Sequence, residues 1–549
     1  MFFSKVSKAH QTGRFASVVT KSVRFAVVSV LSTALVVGAP EKATAQQVTG
    51  LMQSIAEASS DHKALSEFYR ATGYKPIFAT NAGRARSRRA ALLNALKAAP
   101  DHGLAPYDTT LLESQIRSIG SERDLGRAEV EMAKLFLEYA RDMQTGQLIP
   151  SRIDKGIVRS IPYRDGVALL TNFAQSSPRG YINQLAPNSP EYARLLKEKA
   201  VLERTIDAGG WGPKVSGGKL TEGQSNANVV ALRNRLIAMG YMKRSATTVF
   251  DESIKGAVQR FQAAHGLTPD GVVGKGTLAE VNVEPATRLA ALHVALERER
   301  WTNFERGKRH VLVNITDFTA KIIDSGKVTF ATRSVVGAND SDRRTPEFSD
   351  VMEYLVINPT WNVPRSIAVK EYLPLMQRDA GAVSHLRLVD SRGQVVDRAN
   401  VDFTEFTDKT FPFNLKQPPS DGNALGLVKF IFPNKYNIYL HDTPAKSLFA
   451  KERRAYSHGC IRLKDPFDFA YALLAKQTND PVGLFKSHLN TRQESVVDLE
   501  AHVPVHLIYR TAISLPKGGM EYRRDVYGRD AKIWAALQKQ GVQLRAVGG

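Results

Sequence analysis

The sequence predicts an α+β protein of several domains: a helical domain, then a small three-helix domain, then a mostly β domain. Its 549 residues are enough for roughly three or four domains. Apolar residues recur at helical spacing up to about residue 213, glycine turns separate short helices up to about 285, and short β-rich runs follow residue 308. The composition, 43% apolar and 23% charged, is globular and excludes collagenous and disordered classes.

The first 45 residues predict an export signal. Basic residues without any acid occupy positions 1–24, an apolar run follows at 25–39, and Ala43-Thr44-Ala45 has the small-residue pattern of a cleavage site. A membrane anchor is the alternative, but this run reaches only about 22 Å of a hydrocarbon core roughly 30 Å thick. We expect cleavage after Ala45. Since no later run approaches the length of a span, the mature chain is expected outside the cytoplasm with no integral membrane span.

The charge balance favours anionic partners. The chain has 75 Lys and Arg against 54 Asp and Glu, a formal net charge of +21. Removing residues 1–45 takes away six basic residues and Glu41, which leaves +16. In an exported protein this charge favours cell wall or a membrane surface over nucleic acid. The single cysteine, Cys460, excludes an intramolecular disulfide and any metal site built from cysteines alone.

The helical domain is expected over residues 46–220. Its clearest periodicity lies at 130–143, where apolar side chains repeat at i, i+3, i+4, i+7 and i+8. Helical spacing returns at 286–306, and we expect this helix to rejoin the first domain, so that the small domain between them is an insertion.

The small domain is expected at residues 221–285. Gly240 is a predicted C-cap, and Asp251 is a predicted N-cap for a helix with an apolar face. The run from Asp270 to Thr277 has the pattern DGxxGxxT, in which the glycines supply turns. This domain resembles the three-helix peptidoglycan-binding domains of cell-wall enzymes. A purely structural bundle is the alternative.

The mostly β domain is expected at residues 307–515, on five β-rich runs that begin near positions 311, 320, 354, 428 and 437. Residues of about 370–420 break this rhythm and are expected to form a lid over a cleft. The last segment, 516–549, is interpreted as a solvated C-terminal appendage because it is rich in basic residues.

The chemistry is concentrated in the run Ser457-His458-Gly459-Cys460-Ile461-Arg462. A cysteine reacts as a thiolate, so it needs an imidazole or a positive charge nearby. His458 and Cys460 are two positions apart and would share one side of an extended backbone. Gly459 permits a sharp bend that exposes backbone donors for an oxyanion, and Arg462 adds positive charge. His441 lies 19 positions before Cys460 and is a second candidate imidazole.

Two other interpretations of Cys460 stay open. A lone cysteine often packs as a small apolar residue. Alternatively His441, His458 and Cys460 could supply three zinc ligands, although the charge of Arg462 would oppose a cation.

The run HDTPAKSLFAKERRAYSHGCIRL, which begins at His441, resembles the signature of the L,D-transpeptidase (YkuD-like) catalytic domain. The runs NPTWNVP at 358–364 and VPVHL at 503–507 are similar to the larger periplasmic members, which also carry a helical scaffold domain and a peptidoglycan-binding domain. One departure is Arg462, since many members have Asn two residues after the cysteine.

The resemblance implies residue roles. Cys460 would be the nucleophile, His441 the general acid/base, and His458 an orienting or oxyanion-stabilising group. Other residues expected to form the oxyanion and substrate pocket are Gly459, Ser457, Arg462, Asp442 and Trp361. From the residues alone, His441 and His458 could exchange roles.

The implied function is formation of 3–3 cross-links in peptidoglycan through a cysteine thioester, in the periplasm of a Gram-negative-type cell wall, without metal or organic cofactor. Expected partners are peptidoglycan stem peptides and glycan, with an envelope protein as a conceivable acceptor. Acylation by carbapenems is also implied. The alternatives are an L,D-carboxypeptidase, transfer to another amine or protein at the same site, and a non-catalytic peptidoglycan-binding protein.

Overall fold

A computed structural model describes residues 49–544. The predicted export signal, residues 1–45, therefore lies outside the described residues. Among the residues described, no helix combines the length and the apolar character needed to cross a membrane.

The first domain is helical and has its own apolar core. Its longest helix, α5, begins after Ser121, whose side chain accepts a hydrogen bond from the Asp124 amide and so caps the first turn. The apolar face of α5 packs Phe136 against Phe78 and Phe173. The helices are α1 (Gly50–Ser59), α2 (Lys63–Ala71), α3 (Gly83–Ala98), α4 (Thr110–Arg117), α5 (Glu122–Thr145), α6 (Pro150–Ile153), α7 (Gly166–Gln175), α8 (Pro178–Asn183) and α9 (Pro190–Asp207).

A three-helix module follows, and the chain then returns to the first domain. The module contains α10 (Ala227–Ala238), α11 (Glu252–Ala264) and α12 (Lys275–Val281) around its own core. Asp251 caps α11, accepting a hydrogen bond from the Ile254 amide. The next helix, α13 (Pro285–Trp301), packs its leucines against α9. In the fold, the module is thus inserted between two helices that pack together.

The β domain is built on a nine-stranded sheet in the order β10-β3-β11-β9-β8-β4-β12-β1-β2. Because β2 also pairs with β3, the sheet curls back on itself. Its core side chains are contributed mainly by alternating apolar positions. The strands of this sheet are β1 (Arg309–Asn314), β2 (Thr319–Asp324), β3 (Lys327–Gly337), β4 (Ser349–Ile357), β8 (Val428–Ile431), β9 (Leu440–His441), β10 (Ala455–Ser457), β11 (Ile461–Leu463) and β12 (Ser495–Ile508), and α16 (Pro466–Leu474) and α17 (Pro481–Leu489) lie between β11 and β12.

An insertion between β4 and β8 has a small sheet and a core of its own. The sheet has the order β5-β7-β6, and a π-helical turn at Ala368–Tyr372 lies between two short helices. The regular elements of the insertion are β5 (Trp361–Asn362), α14 (Arg365–Ile367), α15 (Leu373–Arg378), β6 (Arg387–Val389) and β7 (Asn414–Gln417).

The C-terminal segment is part of the folded body, so its interpretation as a solvated appendage is wrong. It forms β14 (Met520–Tyr522), which pairs with β13 (Ala512–Ser514) just before the segment, and α18 (Arg529–Lys539), which packs apolar side chains against α13. The basic residues that suggested solvent exposure include Arg529, which is fully buried.

A buried ion network explains how that charge is accommodated. Glu347 is 2% exposed, and its carboxylate binds Arg298 at 2.6 Å and Arg529 at 3.2 Å. Arg298 also binds Asp530 at 2.8 Å. A buried charge needs a partner of opposite sign. The ion pairs among these four residues therefore link α13, α18 and the β domain.

Candidate functional site

The pairing of two strands sets the frame of the site. β9 and β11 are parallel neighbours, with Arg462 registered opposite His441. Since side chains alternate along a strand, Tyr439 and His441 share the same face as Cys460 and Arg462. The 19-residue connection thus returns Cys460 beside the strand that ends at His441.

Cys460 is partly buried, and its local contacts keep it a thiol. Sγ donates a hydrogen bond to the Asn437 carbonyl at 3.4 Å. Burial raises the pKa of the Cys460 thiol to about 11, although hydrogen bonds from Tyr439 and the charge of Arg462 act in the opposite direction. Burial of the sulfur thus favours the thiol over the thiolate in the free protein.

His441 is a buried neutral imidazole. Its side chain is 4% exposed, and its ring meets the Tyr439 ring edge-on at 5.6 Å. Burial and the nearby Arg462 charge lower the pKa of His441 to about 3, while the backbone carbonyls of Asp442 and Leu425 act in the opposite direction. A neutral imidazole can accept a proton, which a base beside Cys460 must do.

A row of three nitrogen-bearing side chains crosses the sheet at this point. Lys429 on β8 is registered opposite His441, which is registered opposite Arg462. Burial lowers the pKa of Lys429. Nε of Arg462 is buried and has no hydrogen-bond partner in the described chain. The row therefore offers donors and positive charge to a carboxylate or an oxyanion. Sequence reasoning missed Lys429, and its only signal was a lysine inside an apolar run.

The turn that carries Cys460 is held by Ser457. Ser457 Oγ donates to the Cys460 carbonyl at 2.6 Å and accepts from the Gly459 amide at 3.1 Å. Gly459 has φ +118°, and a Cβ there would lie 3.1 Å from the Ile438 side chain, so glycine is required. Thr345 Oγ1 donates to the Gly459 carbonyl at 2.7 Å. Because the Gly459 amide is already used by Ser457, it is not free to bind an oxyanion in this conformation.

His458 faces the insertion. Its Nε2 lies 2.6 Å from Glu371 Oε1, and Glu371 also binds Arg343 at 2.8 Å. Glu371 lies in the π-helical turn of the insertion. His458 therefore ties the cysteine turn to the insertion, whereas His441 shares the face of β9 and β11 with Cys460. With His458 turned toward Glu371, the three side chains of the alternative zinc site do not converge, and none of the described residues forms such a cluster.

Asp442 and Trp361, which the sequence predicts in the substrate pocket, make contacts that support the fold around it. The Asp442 carboxylate accepts hydrogen bonds from the Leu427 amide at 3.0 Å and the Thr443 amide at 2.7 Å. Trp361 is 8% exposed, lies in the core of the insertion and contacts Tyr372. These contacts explain both residues as parts of the scaffold around the site.

Comparison with protein families divides the chain into the same three parts. Residues 63–198 match a model described as "Scaffold domain", residues 225–280 one described as "Putative peptidoglycan binding domain", and residues 308–482 one described as "L,D-transpeptidase catalytic domain". The site described above lies within the third match.

One curated relative is a protein of Haemophilus influenzae named "Putative L,D-transpeptidase". It is 32% identical over 225 residues, which is 41% of this chain, and the match spans less than half of the relative, 45% of its length. Among solved structures, an L,D-transpeptidase of Xylanimonas cellulosilytica is 14% identical with a TM-score of 0.16, covering 54% of this chain and 100% of its own. One of Stackebrandtia nassauensis is 14% identical with a TM-score of 0.21, covering 54% and 97%.

Proposed function

Since the chain carries an L,D-transpeptidase catalytic domain together with a peptidoglycan-binding domain and a scaffold domain, we propose that it forms 3–3 cross-links in peptidoglycan through a thioester on Cys460. The observation that carries the proposal is the shared face of β9 and β11, which holds the only cysteine, a buried neutral histidine and a fixed cation. This arrangement has the three parts that acyl transfer requires: a nucleophile, a base and positive charge for the oxyanion.

In the first step the sulfur of Cys460 attacks the carbonyl carbon between diaminopimelate and D-Ala of a donor stem peptide. The thiol proton passes to His441 as the carbon–sulfur bond forms. The amide carbon–nitrogen bond then breaks, and His441 returns the proton to the amine of D-Ala, which leaves. Arg462 and Lys429 stabilise the negative oxygen or bind a substrate carboxylate.

In the second step the side-chain amine of an acceptor stem peptide attacks the thioester carbon. The amine loses a proton to His441, and the sulfur leaves with that proton as the thiol. The step forms an amide bond and restores the enzyme. The resting thiol fits this scheme, because the proton moves only when a substrate is in place.

The remaining domains suit an enzyme that works on the wall outside the cytoplasm. The sequence of residues 1–45 favours export to the periplasm, and the net charge of the chain favours an acidic polymer. We therefore propose peptidoglycan stem peptides and glycan as partners.

The proposal is tested by incubating the purified protein with disaccharide tetrapeptides and reading the products by mass spectrometry. We expect dimers with loss of D-Ala. Cys460→Ala should abolish the reaction, and His441→Ala should slow it by about 10²- to 10⁴-fold. His502→Ala is the matched control, because His502 is an exposed histidine.

Other products would change the assignment. Tripeptides without dimers would identify a carboxypeptidase, and dimers that carry another amine would identify exchange at the same site. No reaction with retained binding to sacculi would identify a non-catalytic binding protein. Full activity of Cys460→Ala would remove the nucleophile assignment.

A further inference from the structure

A concave surface that contains neither Cys460 nor His441 lies between the three-helix module, the β domain and the C-terminal segment. It is a groove of about 460 Å³. We call it the arginine groove, after the arginines that line it: Arg333, Arg453, Arg454, Arg523 and Arg524.

Three parts of the chain that are distant in sequence build this groove. The three-helix module contributes residues 265–267, the β domain contributes residues from β3 and from the segment before β10, and the C-terminal segment contributes 523–526. Hydrogen bonds link these three parts. The Thr268 amide donates to Glu452 Oε1 at 2.8 Å, and Arg523 donates to the Ala264 carbonyl at 2.9 Å. The groove is thus a fixed feature of the fold.

The positive charge of the groove is only partly neutralised. Arg333, Arg453 and Arg454 form no ion pair with any residue of the described chain; Arg454 donates only to backbone carbonyls, and Arg453 makes no hydrogen bond there. Burial, followed by the nearby charge of Arg333, lowers the pKa of Arg454 to about 10. The charge of Asp317 acts in the opposite direction but does not cancel these effects.

The carboxylates of the groove are engaged elsewhere. Asp317 accepts from Thr319, Glu452 accepts from the Thr268 amide, and Asp525 accepts from the Ala531 amide. Two of the five arginines are neutralised by acids outside the groove, since Arg523 pairs with Glu521 at 2.6 Å and Arg524 pairs with Glu280 at 3.4 Å. Arg333, Arg453 and Arg454 therefore remain without an ion-pair partner in the described chain, and guanidinium groups match carboxylate oxygens in pairs.

The groove is linked to the catalytic turn through the backbone beside it. One of its lining residues, Asn339, follows Ala338, whose amide donates to the Ser457 carbonyl at 2.8 Å. Arg454 immediately precedes β10, and β10 ends at Ser457. A ligand lying along the groove from the three-helix module would therefore arrive beside the turn that carries Cys460.

We propose that the arginine groove binds the free carboxylates of peptidoglycan stem peptides and guides a strand held by the three-helix module toward Cys460. This inference rests on the proposed function for the identity of the polymer. The binding itself needs no turnover, so it can be measured separately from cross-linking.

The test is co-sedimentation of the full-length protein with purified sacculi, with Arg333→Glu/Arg453→Glu as the variant. Both side chains are exposed. We expect binding to weaken by about tenfold, with a smaller effect at high salt, since each reversal replaces attraction with repulsion. Arg127→Glu/Arg164→Glu is the matched control, because it changes the net charge equally at exposed positions of the helical domain.

A second arm changes the ligand. Sacculi whose carboxylates have been converted to amides should bind the wild type about as weakly as untreated sacculi bind the groove variant, and the two changes should not add. Arg453→Glu alone repeats the test at a side chain without described contacts, so that a folding defect of the double variant would not obscure the result.

Several outcomes would overturn the inference. These are equal binding by the groove variant and the wild type, equal losses in the groove and control variants, or full binding to amidated sacculi. Loss of binding to phosphatidylglycerol vesicles with unchanged binding to sacculi would assign the groove to a lipid surface instead. If the wild type forms no cross-links but the expected binding differences appear, the proposed reaction is wrong and the inference that the groove binds peptidoglycan carboxylates is supported.

Discussion

The protonation state of Cys460 can be measured directly. Burial raises the pKa of its thiol from an ordinary value of 9.0 to about 11, and the pKa of His441 is lowered to about 3. Both groups are then neutral between these values. A difference of two pKa units lowers the thiolate population at a given pH by about 100-fold, or about 2.7 kcal/mol.

The assay is the rate of alkylation by iodoacetamide from pH 6 to pH 10.5, followed by intact mass. The rate should rise about tenfold per pH unit with no plateau below pH 10, because only the thiolate reacts. The same chain unfolded in urea is the control, and its rate should level off near the ordinary pKa. The folded and unfolded chains are compared by the pH at which the alkylation rate reaches half of its plateau. The absolute rate is not compared, because partial burial of Cys460 slows alkylation at every pH.

A plateau with a midpoint below pH 8 in the folded protein would refute this reasoning, because it would reveal a thiolate paired with a charged imidazole. The same shift has a consequence for stability. The unfolded chain releases the proton near pH 9 and the folded chain near pH 11, so stability contributed by the neutral thiol is present below pH 9 and is lost as the pH rises to 11.

Three further predictions concern the frame of the site and its proposed chemistry. Glu347→Gln removes the carboxylate that Arg298 and Arg529 share, while Arg298 keeps Asp530 and Arg529 keeps the longer contact with Asp154. This loss should lower the free energy of unfolding by about 3 kcal/mol in a urea titration. Asp342→Asn, at an exposed ion pair, should cost under about 1 kcal/mol in the same titration. Gly426→Ala places a Cβ against the Asp442 carboxylate at a residue with φ +63°. It should lower the free energy of unfolding by about 1–3 kcal/mol, which is a fall of several degrees in melting temperature. Gly422→Ala, which has open space around the added Cβ, should leave the melting temperature unchanged. A carbapenem should add its mass to the protein at Cys460 and not to Cys460→Ala, and equal labelling of both would exclude that site.

The sequence by itself determined the parts that depend on local pattern. Helical spacing predicted the first domain, and the cap at Asp251 predicted the start of a helix in the three-helix module. The change to β-rich runs predicted the third domain. The cysteine motif was also local, because Ser457, His458, Gly459 and Cys460 are consecutive in the chain. The parallel pairing of β9 with β11, which places His441 and Cys460 on one face, came only with the fold.

The tertiary structure decided what depends on contacts between distant segments. The sequence could not show that His458 contacts Glu371, because Glu371 lies 87 positions earlier in the chain. Strand register alone brings Lys429 beside His441.

The C-terminal segment shows the same limit. Its arginines indicated solvent, yet Arg529 is fully buried because Glu347, 182 positions away, supplies the opposite charge. A charged side chain is equally compatible with water and with a buried partner. Only the fold shows which of the two surrounds it.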